Sequence, residues 1–571
     1  MYAEVVVLTY QAPDISSFAY EVPKELEKEI KIGQLVEVPF GKRNPMGIVI
    51  NLHKVDPSHT RINLKKIRPV SSVLLQNPIL LTYQIEILKW TSAYYIAPLV
   101  NCLEAILPPL NAKQIKVSTF NKVDPYPHQT LGQFLILVPS LNRIPETLAK
   151  FPKAKNYVVY HNELKPSEKF TAWMKILSGN ADYIFGSRSA IFTPCPKLKE
   201  IIIYDEHDNA YKDERSPYFD TLTIAQKISE LTRSKLWIVD PAPRITTYSQ
   251  LPKQIKIQKF TQKVEVVDMQ KERLSNNKSA ISFDLESNLN ELNKGENALL
   301  FLNKIKESGH LFCKACKTSV YLEKRTDICP NCKSSDIFWN ELNVNSLAVE
   351  VKKMFPKSQI NLLTENSKSS VASNQRPGID IGTAFALYAS LGKKYDLVAH
   401  IQTDTLINQT DFTSGEKLFA QITSLKKLLK PNGKLILQTY NMENSTINLA
   451  AKDDYKSFFE EELAQRKALS YPPYSQLVKL TIKGKSDDKV KKEAEQVAAN
   501  LQSKIYNLKP TLLGPYRSIF WQKQTVYHII LKYKLNLVNL NSKEKAVQEI
   551  AKLIGTRSYN WQITVDPQSI Y

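Results

Sequence analysis

Glycine is scarce in this chain, 16 of 571 residues, and nowhere do its glycines form the turn that cradles a phosphate. Such a loop needs glycines whose N–H groups surround the anion, then a lysine and a serine or threonine. The single Gly-Lys-Ser, Gly484–Ser486, ends a strand-like run, and Lys479 stands five places earlier, where glycine is required. The segment "DPYPHQTLGQ" ahead of the apolar run "FLILVP" carries no such turn either. A phosphate-loop nucleotide motor is thereby argued against. No apolar run approaches the roughly 18–20 residues that span a bilayer, so no membrane partner is expected. The opening "MYAEVVVLTYQ" lacks a basic stretch and a small-residue cleavage site, so a first strand is expected there instead of a signal peptide. Cysteine is sparse too: four of the six form C-x-x-C pairs, and Cys102 and Cys195 stand alone. That is metal-site spacing in a cytoplasmic protein, not a disulfide framework.

What is abundant is positive charge. Seventy-seven Lys and Arg against 56 Asp and Glu leave +21, which suits a polyanionic partner, nucleic acid before an acidic membrane. Apolar content of 43% with 23% charged residues is that of a globular protein. The length allows roughly three to five domains.

Residues 1–108 alternate in strand fashion ("AEVVVLTY", "QLVEVPFG", "MGIVINLHK") and then turn helical in "PILLTYQIEILKWTSAYYIAPL". Residues 109–130 have no sustained period and read as a linker. Over 131–258, apolar strands alternate with helical segments, which predicts a parallel sheet. A second α/β section covers 259–310 and 341–445, interrupted by a cysteine insert at 311–340. Residues 446–571 read as α+β, with a basic amphipathic helix near 487–506. There is no internal repeat and no long low-complexity tract.

The insert carries the strongest chemical signal. Cys313 and Cys316 are followed after twelve residues by Cys329 and Cys332. Each C-x-x-C turn aims two thiolates at one point, and two turns complete a tetrahedral Zn²⁺ shell. Four thiolates leave no open position, so one structural zinc is expected. A second signal is "IIIYDEHDNAYK" (201–212), where a β-branched run delivers Tyr204, Asp205, Glu206 and His207 to the carboxyl edge of a sheet, the edge at which α/β proteins bind ligands.

These pieces, with "SFAYEVP", "IGQLVEVPFGKR", "YYIAPL", "SGNADYIFGSRSAIFTP", "CPNCKSSDI", "DFTSGEKLFAQ", "ELAQRKALSYPPYS" and "WQITVDP", resemble the PriA replication-restart DNA helicase family of bacteria over nearly the whole chain. The resemblance implies a fold that is α/β and multidomain. A 3′-end DNA-binding domain (1–108) would precede two RecA-like parallel-sheet lobes (131–258; 259–310 with 341–445). A zinc ribbon (311–340) would be inserted in the second lobe, and a C-terminal α+β domain (446–571) would follow.

The departures concern the motor. Where that family carries its winged helix and phosphate loop, only the linker remains. Its D-E-E-H-D strand end puts Tyr204 at the metal-binding Asp and Asp205 at the Glu that activates water, and a phenol is no hard ligand for Mg²⁺. S-A-T becomes Asp240–Ala242, and the arginine-bearing segment becomes "QITSLKKLLKPNG" (421–433), without an arginine for phosphoryl-transfer charge. Tyr204, Asp205, Glu206 and His207 are therefore expected to be a vestigial metal strand kept as polar contacts, with no catalytic residue and no use of ATP or Mg²⁺.

The resemblance further implies a pocket for a 3′ end, with Phe18 and Tyr20 stacking on a base, Gly33 allowing close backbone approach, and Lys65 and Lys66 meeting phosphate. Ala19 replaces the acidic residue between the aromatics, and core packing is the alternative for both rings. Arg188 matches a loop near single-stranded DNA and either touches phosphate or pairs with a nearby acid. The expected protein is a cytoplasmic, nucleoid-associated DNA-binding factor without a working motor. Its expected partners are forks, 3′ ends and single-stranded regions, with primosome proteins and single-strand-binding protein as further candidates. The rival expectations are a residual ATP-dependent 3′–5′ helicase and a protein-interaction scaffold.

Overall fold

The computed structural model describes residues 1–9, 17–54, 67–110, 132–293, 295–303, 309–322, 326–340, 342–364, 378–389, 392–408, 411–505, 510–518, 524–555 and 561–570. Most of the expected linker, and Lys65 and Lys66, lie outside them. The chain divides into two compact units, Met1–Lys256 with Arg466–Tyr571, and Ile257–Gln465.

In the first unit, an antiparallel sheet runs in the order Phe18–Glu21, Tyr2–Val7, Met46–His53, Leu35–Glu37, Ser72–Val73. Strand side chains alternate between faces, and here both faces are covered. Ala3, Val5, Val7, Val36 and Val49 form one small core. Val6, Ile48 and Ile50 turn the other way, toward Ile85 and Leu88 of the helix Thr82–Tyr94. At Gly33, with φ +86°, an added Cβ would collide with the Leu80 carbonyl oxygen. Its N–H donates to Val49 O at 2.8 Å, and its own carbonyl accepts from Ile79 and Leu80. Only glycine tolerates both the backbone angle and the contact.

The second sheet is wholly parallel, in the order Ile255–Lys256, Lys235–Val239, Leu198–Tyr204, Gln133–Leu137, Tyr183–Gly186, Tyr157–Tyr160. Burial on both faces explains its continuous β-branched strands. The third, antiparallel, has the order Pro510–Arg517, Thr525–Lys534, Ser475–Gly484, Trp561–Val565, and packs on the helices Asp487–Ile505 and Leu540–Ile554. Gly484 is the last residue of its strand, with no phosphate turn behind it.

Helix Thr82–Tyr94 joins these parts. Tyr83 Oη donates to Thr193 O (3.0 Å), Gln84 Nε2 to Phe192 O (2.7 Å), and Trp90 Nε1 to Glu544 (2.8 Å). At the centre lies Lys212, whose ammonium donates to Val565 O (2.8 Å) and Asp566 O (3.3 Å) and sits 5.5 Å from the Tyr95 ring centroid. The Asp566 carboxylate accepts from Tyr94 Oη (2.7 Å), Gln476 Nε2 (3.1 Å) and Lys543 Nζ (3.3 Å).

Burial pushes the Lys212 ammonium down to about 8, against the pull of Asp220 and Asp566. A lysine whose folded value lies below its unfolded value of about 10.4 binds fewer protons when folded. Stability should therefore rise with pH between about 8 and about 10.4, by up to about 3 kcal/mol. In Lys212→Met that rise should vanish, and the two carbonyls left without a donor should lower stability by about 1–3 kcal/mol each. Denaturant titrations across this pH range read both effects.

The second unit has its own all-parallel sheet, ordered Lys263–Asp268, Leu429–Thr439, Tyr395–His400, Ala298–Phe301, Ile379–Gly382, Ile360–Leu363. A three-stranded antiparallel sheet, Ser319–Leu322, Gly309–Cys313, Ile337–Asn340, carries the cysteines. The architecture is thus α/β and multidomain, with two six-stranded parallel sheets.

Candidate functional site

The strand Leu198–Tyr204 ends in a turn held by Asp205, whose φ is +53° and whose N–H donates to Val239 O at 3.0 Å. That turn directs Glu206 inward, where it is 1% exposed. Its carboxylate accepts from the Arg244 side-chain Nε, from Arg244 N–H (3.1 Å) and from Thr247 Oγ1 (2.8 Å). The other edge of the same guanidinium grips Asp220 through Nη1 (2.8 Å) and Nη2 (3.3 Å). Asp220 in turn caps the helix Thr221–Thr232 at Thr223 N–H (3.1 Å). One arginine is thus shared by two buried carboxylates.

Burial raises the Glu206 carboxyl above its ordinary value, with Arg244 opposing. Burial also pushes Asp220 upward, but Arg244, by charge and hydrogen bonding, and then Lys212 carry it well below the usual carboxylate range. Asp240, fully buried, fixes His207: it accepts from the His207 N–H (2.9 Å) and lies 2.8 Å from Nδ1, while also capping Ala242 N–H (2.7 Å). Where a hydroxyl and small residues would couple a motor, a carboxylate here locks a histidine.

Tyr204 packs beside Phe185 and Ile136, and Lys150 Nζ lies 5.1 Å from its ring centroid. Burial, then Asp205, raises its phenol. Asp208 is also engaged, accepting from Ala210 N–H at 2.8 Å. The expected vestigial residues therefore do come together, and each has a structural partner. The participant that sequence reasoning missed is Arg244, 38 residues from Glu206 along the chain.

Arg188 donates to Ala210 O (2.8 Å) and Lys212 O (2.7 Å), and its Nε lies 3.3 Å from Asp213. Of its two alternatives, pairing with an acid is the one seen. Phe18 is half-buried and meets Phe40 edge to face, with centroids 5.1 Å apart. Tyr20 is 4% exposed, and its hydroxyl lies 3.4 Å from Pro39 O, so as placed its ring belongs to the core. Gly33 is occupied with the Leu80 backbone. Beyond Phe40 the turn exposes Lys42 and Arg43, and exposed Arg68 donates to Gly41 O at 3.1 Å. Sequence reasoning does not single out these three cations beside the aromatic pair, although "PFGKR" contains two of them.

In the second unit, the four cysteine Sγ atoms all lie within 4.8 Å of one another. Cys313 and Cys332 are 3.5 Å apart, and Cys316 and Cys329 3.7 Å. A tetrahedral zinc with bonds of about 2.3 Å separates its sulfurs by about 3.8 Å, so the donor set fits that ion. The two turns are alike: Cys313 N–H donates to Thr318 O (2.9 Å) and Cys329 N–H to Ser334 O (2.8 Å), with Lys317 and Lys333 left-handed at φ +57° and +61°. The cluster can hold a metal ion.

Known proteins resemble the two ends of the chain most clearly. Residues 6–108 match the model of the 3′DNA-binding domain (3′BD) of PriA, and residues 467–568 match that of the primosomal protein N C-terminal domain. Over both of these segments the chain is similar to PriA. It is 26% identical to the replication restart protein PriA of Bacillus subtilis, over 70% of this chain and 56% of that one. Against PriA of Thermotoga maritima it is again 26% identical, over 79% and 65%. PriA of Rickettsia conorii is 24% identical, and 97% of each chain is covered. The chain thus spans 56% and 65% of the first two PriA relatives and nearly all of the third. Among solved structures, S. cerevisiae Dbp5 bound to RNA and ADP BeF3 overlaps 68% of this chain and 98% of its own at TM-score 0.32 and 12% identity, too slight a likeness to carry an argument.

Proposed function

We propose that this chain is a DNA-binding replication-restart protein that recognises forked or 3′-ended DNA and does not hydrolyse ATP. The observation that carries the second half is Tyr204, packed beside Phe185 and Ile136 with Lys150 over its ring, at the position where the resemblance calls for a metal-binding carboxylate. A phenol held in this way is no hard ligand for Mg²⁺. The first half is supported by the 3′DNA-binding domain match over 6–108 and by the excess of 21 positive charges.

Within that module, Phe18 and Phe40 form the aromatic surface for a terminal base. Lys42, Arg43 and Arg68 meet backbone phosphates, together with Lys65 and Lys66. The parallel-sheet lobes serve as a scaffold, and one zinc holds the four-cysteine insert. Single-stranded regions, primosome proteins and single-strand-binding protein complete the partners, at the nucleoid in the bacterial cytoplasm.

Anisotropy titrations should show tighter binding to forked than to blunt duplex DNA at moderate salt. Reversing Lys42 and Arg43 to glutamate should weaken binding uniformly across sequences and reduce the salt slope by about 2. Removing the Phe18 ring should lose about 1–3 kcal/mol of affinity for 3′-ended forks. DNA-stimulated ATP turnover should not exceed that of Glu206→Gln. Robust turnover that disappears in this variant would mean a working motor. Equal affinity for forked and blunt DNA would sink the recognition.

A further inference from the structure

The four thiols of the cysteine insert do not share one environment. Cys313 and Cys329 are fully buried, Cys316 is half-buried and Cys332 is exposed. The sulfur of Cys316 lies 3.2 Å from Thr318 Oγ1 and accepts from Asn331 Nδ2 at 3.7 Å. Cys332 stands between exposed Asn331 and exposed Lys333, where a small molecule in solvent can reach it. Across the two turns its sulfur meets that of Cys313 at 3.5 Å, as Cys316 meets Cys329 at 3.7 Å. The one sulfur open to solvent thus faces a sulfur sealed inside the insert.

Oxidants select an exposed thiolate, and a second thiolate beside it resolves the first product into a disulfide. The plain alternative is that Cys332 is exposed only because so small an insert has a rim. That alternative predicts a shell indifferent to oxidant, and the two accounts part on a measurable reaction.

We propose that Cys332 is a site of oxidation by hydroperoxides, that Cys313 is its resolving thiol, and that the reaction expels the zinc. The inference rests on the zinc seat proposed above. The Cys332 sulfur attacks the peroxide, so that an S–O bond forms, the O–O bond breaks and hydroxide leaves. The Cys313 thiolate then attacks the Cys332 sulfur: an S–S bond forms, the S–OH bond breaks and a second hydroxide leaves. The two sulfurs together lose two electrons, the peroxide gains them, and two protons from solvent turn the hydroxides into water. Only Cys316 and Cys329 remain to hold the ion, half of a tetrahedral shell. The strands Ser319–Leu322, Gly309–Cys313 and Ile337–Asn340 then lose the fastening between their two turns. A dithiol reductant and fresh zinc reverse the change.

The test treats the zinc-loaded full chain with hydrogen peroxide. A chromogenic chelator reads the zinc, and mass spectrometry of proteolytic fragments maps the disulfides. One zinc per chain should be released, with a Cys313–Cys332 disulfide as the first product and new protease cleavage within 309–340. Dithiothreitol with zinc should undo all three. Cys332→His keeps a fourth nitrogen or sulfur ligand on the ion but removes the reacting sulfur, and its release should be slower by about tenfold or more. If that variant does not hold zinc, the disulfide map of the wild-type chain decides alone. Zinc that stays bound in excess peroxide overturns the inference, as does a first disulfide between any other pair, or release from Cys332→His as fast as from wild type. A chain that binds no zinc when purified overturns the zinc seat itself, and the inference with it.

Discussion

Denaturant unfolding of Arg244→Ala is expected to show about 3–5 kcal/mol less stability in the unit that contains residues 133–256. The substitution leaves Glu206 and Asp220 buried without their shared cation, and stranding buried charge costs far more than the pair contributes. Arg244→Met should do no better, because its methylenes fill space but neutralise neither carboxylate. Glu206→Gln should be much milder, since burial already favours an uncharged group there and the amide can still accept from Arg244. The pH dependence separates the two acids. Asp220, held low when folded, adds stability above its unfolded value of about 3.9 and loses it as pH falls through the folded value. Glu206, held high, carries a penalty that grows as pH rises from about 4.3 toward its folded value. The variant should therefore lose the acid limb of the wild-type profile. An Arg244→Ala protein as stable as wild type, with an unchanged acid limb, would refute the shared-cation account.

The Cys313→Ser variant is expected to lose its zinc and to become protease-sensitive within residues 309–340, while the first unit unfolds as before. Metal analysis should fall from one zinc per chain to none. The reason lies in how little else holds the insert: among the described residues its buried core is Leu311, Cys313 and Cys329, with only Leu322, Ile337 and Cys316 partly buried against it. Structural zinc contributes about 10–16 kcal/mol in isolated zinc-finger peptides, far more than one leucine can replace. Intact folding of the insert after complete removal of metal would show that the thiols pack without it. A stoichiometry of two would contradict the single four-thiolate shell.

How far the sequence anticipates this site depends on the range of each interaction. The C-x-x-C pairs are legible because both ends of each turn lie within four residues, and the geometry follows from the spacing. The strand 201–204 is legible because three isoleucines in succession leave little choice but a doubly covered strand. The fate of Glu206 is not legible. It depends on Arg244, which in sequence is an arginine between Pro243 and Ile245 with nothing to distinguish it. Arg188 shows the same limit: phosphate contact and acid pairing are equal alternatives until the fold brings Ala210, Lys212 and Asp213 around it. Gly33 reads in sequence as room for a ligand's backbone, whereas the close approach in the fold is made by Leu80. Residue type announces a capacity, and only tertiary proximity decides who uses it.

The Lys212 junction has a consequence for how the protein is made. Its acceptors, Val565 and Asp566, belong to the C-terminal strand and the residue after it, while Tyr94 is synthesised 472 residues before its partner Asp566. During translation the early module and the first parallel sheet can assemble, but the lysine between them waits with its charge unanswered. A chain that stops short of residue 565 lacks both carbonyls, so Lys212 stays in water and the early module and first sheet are left without the strand that closes them together.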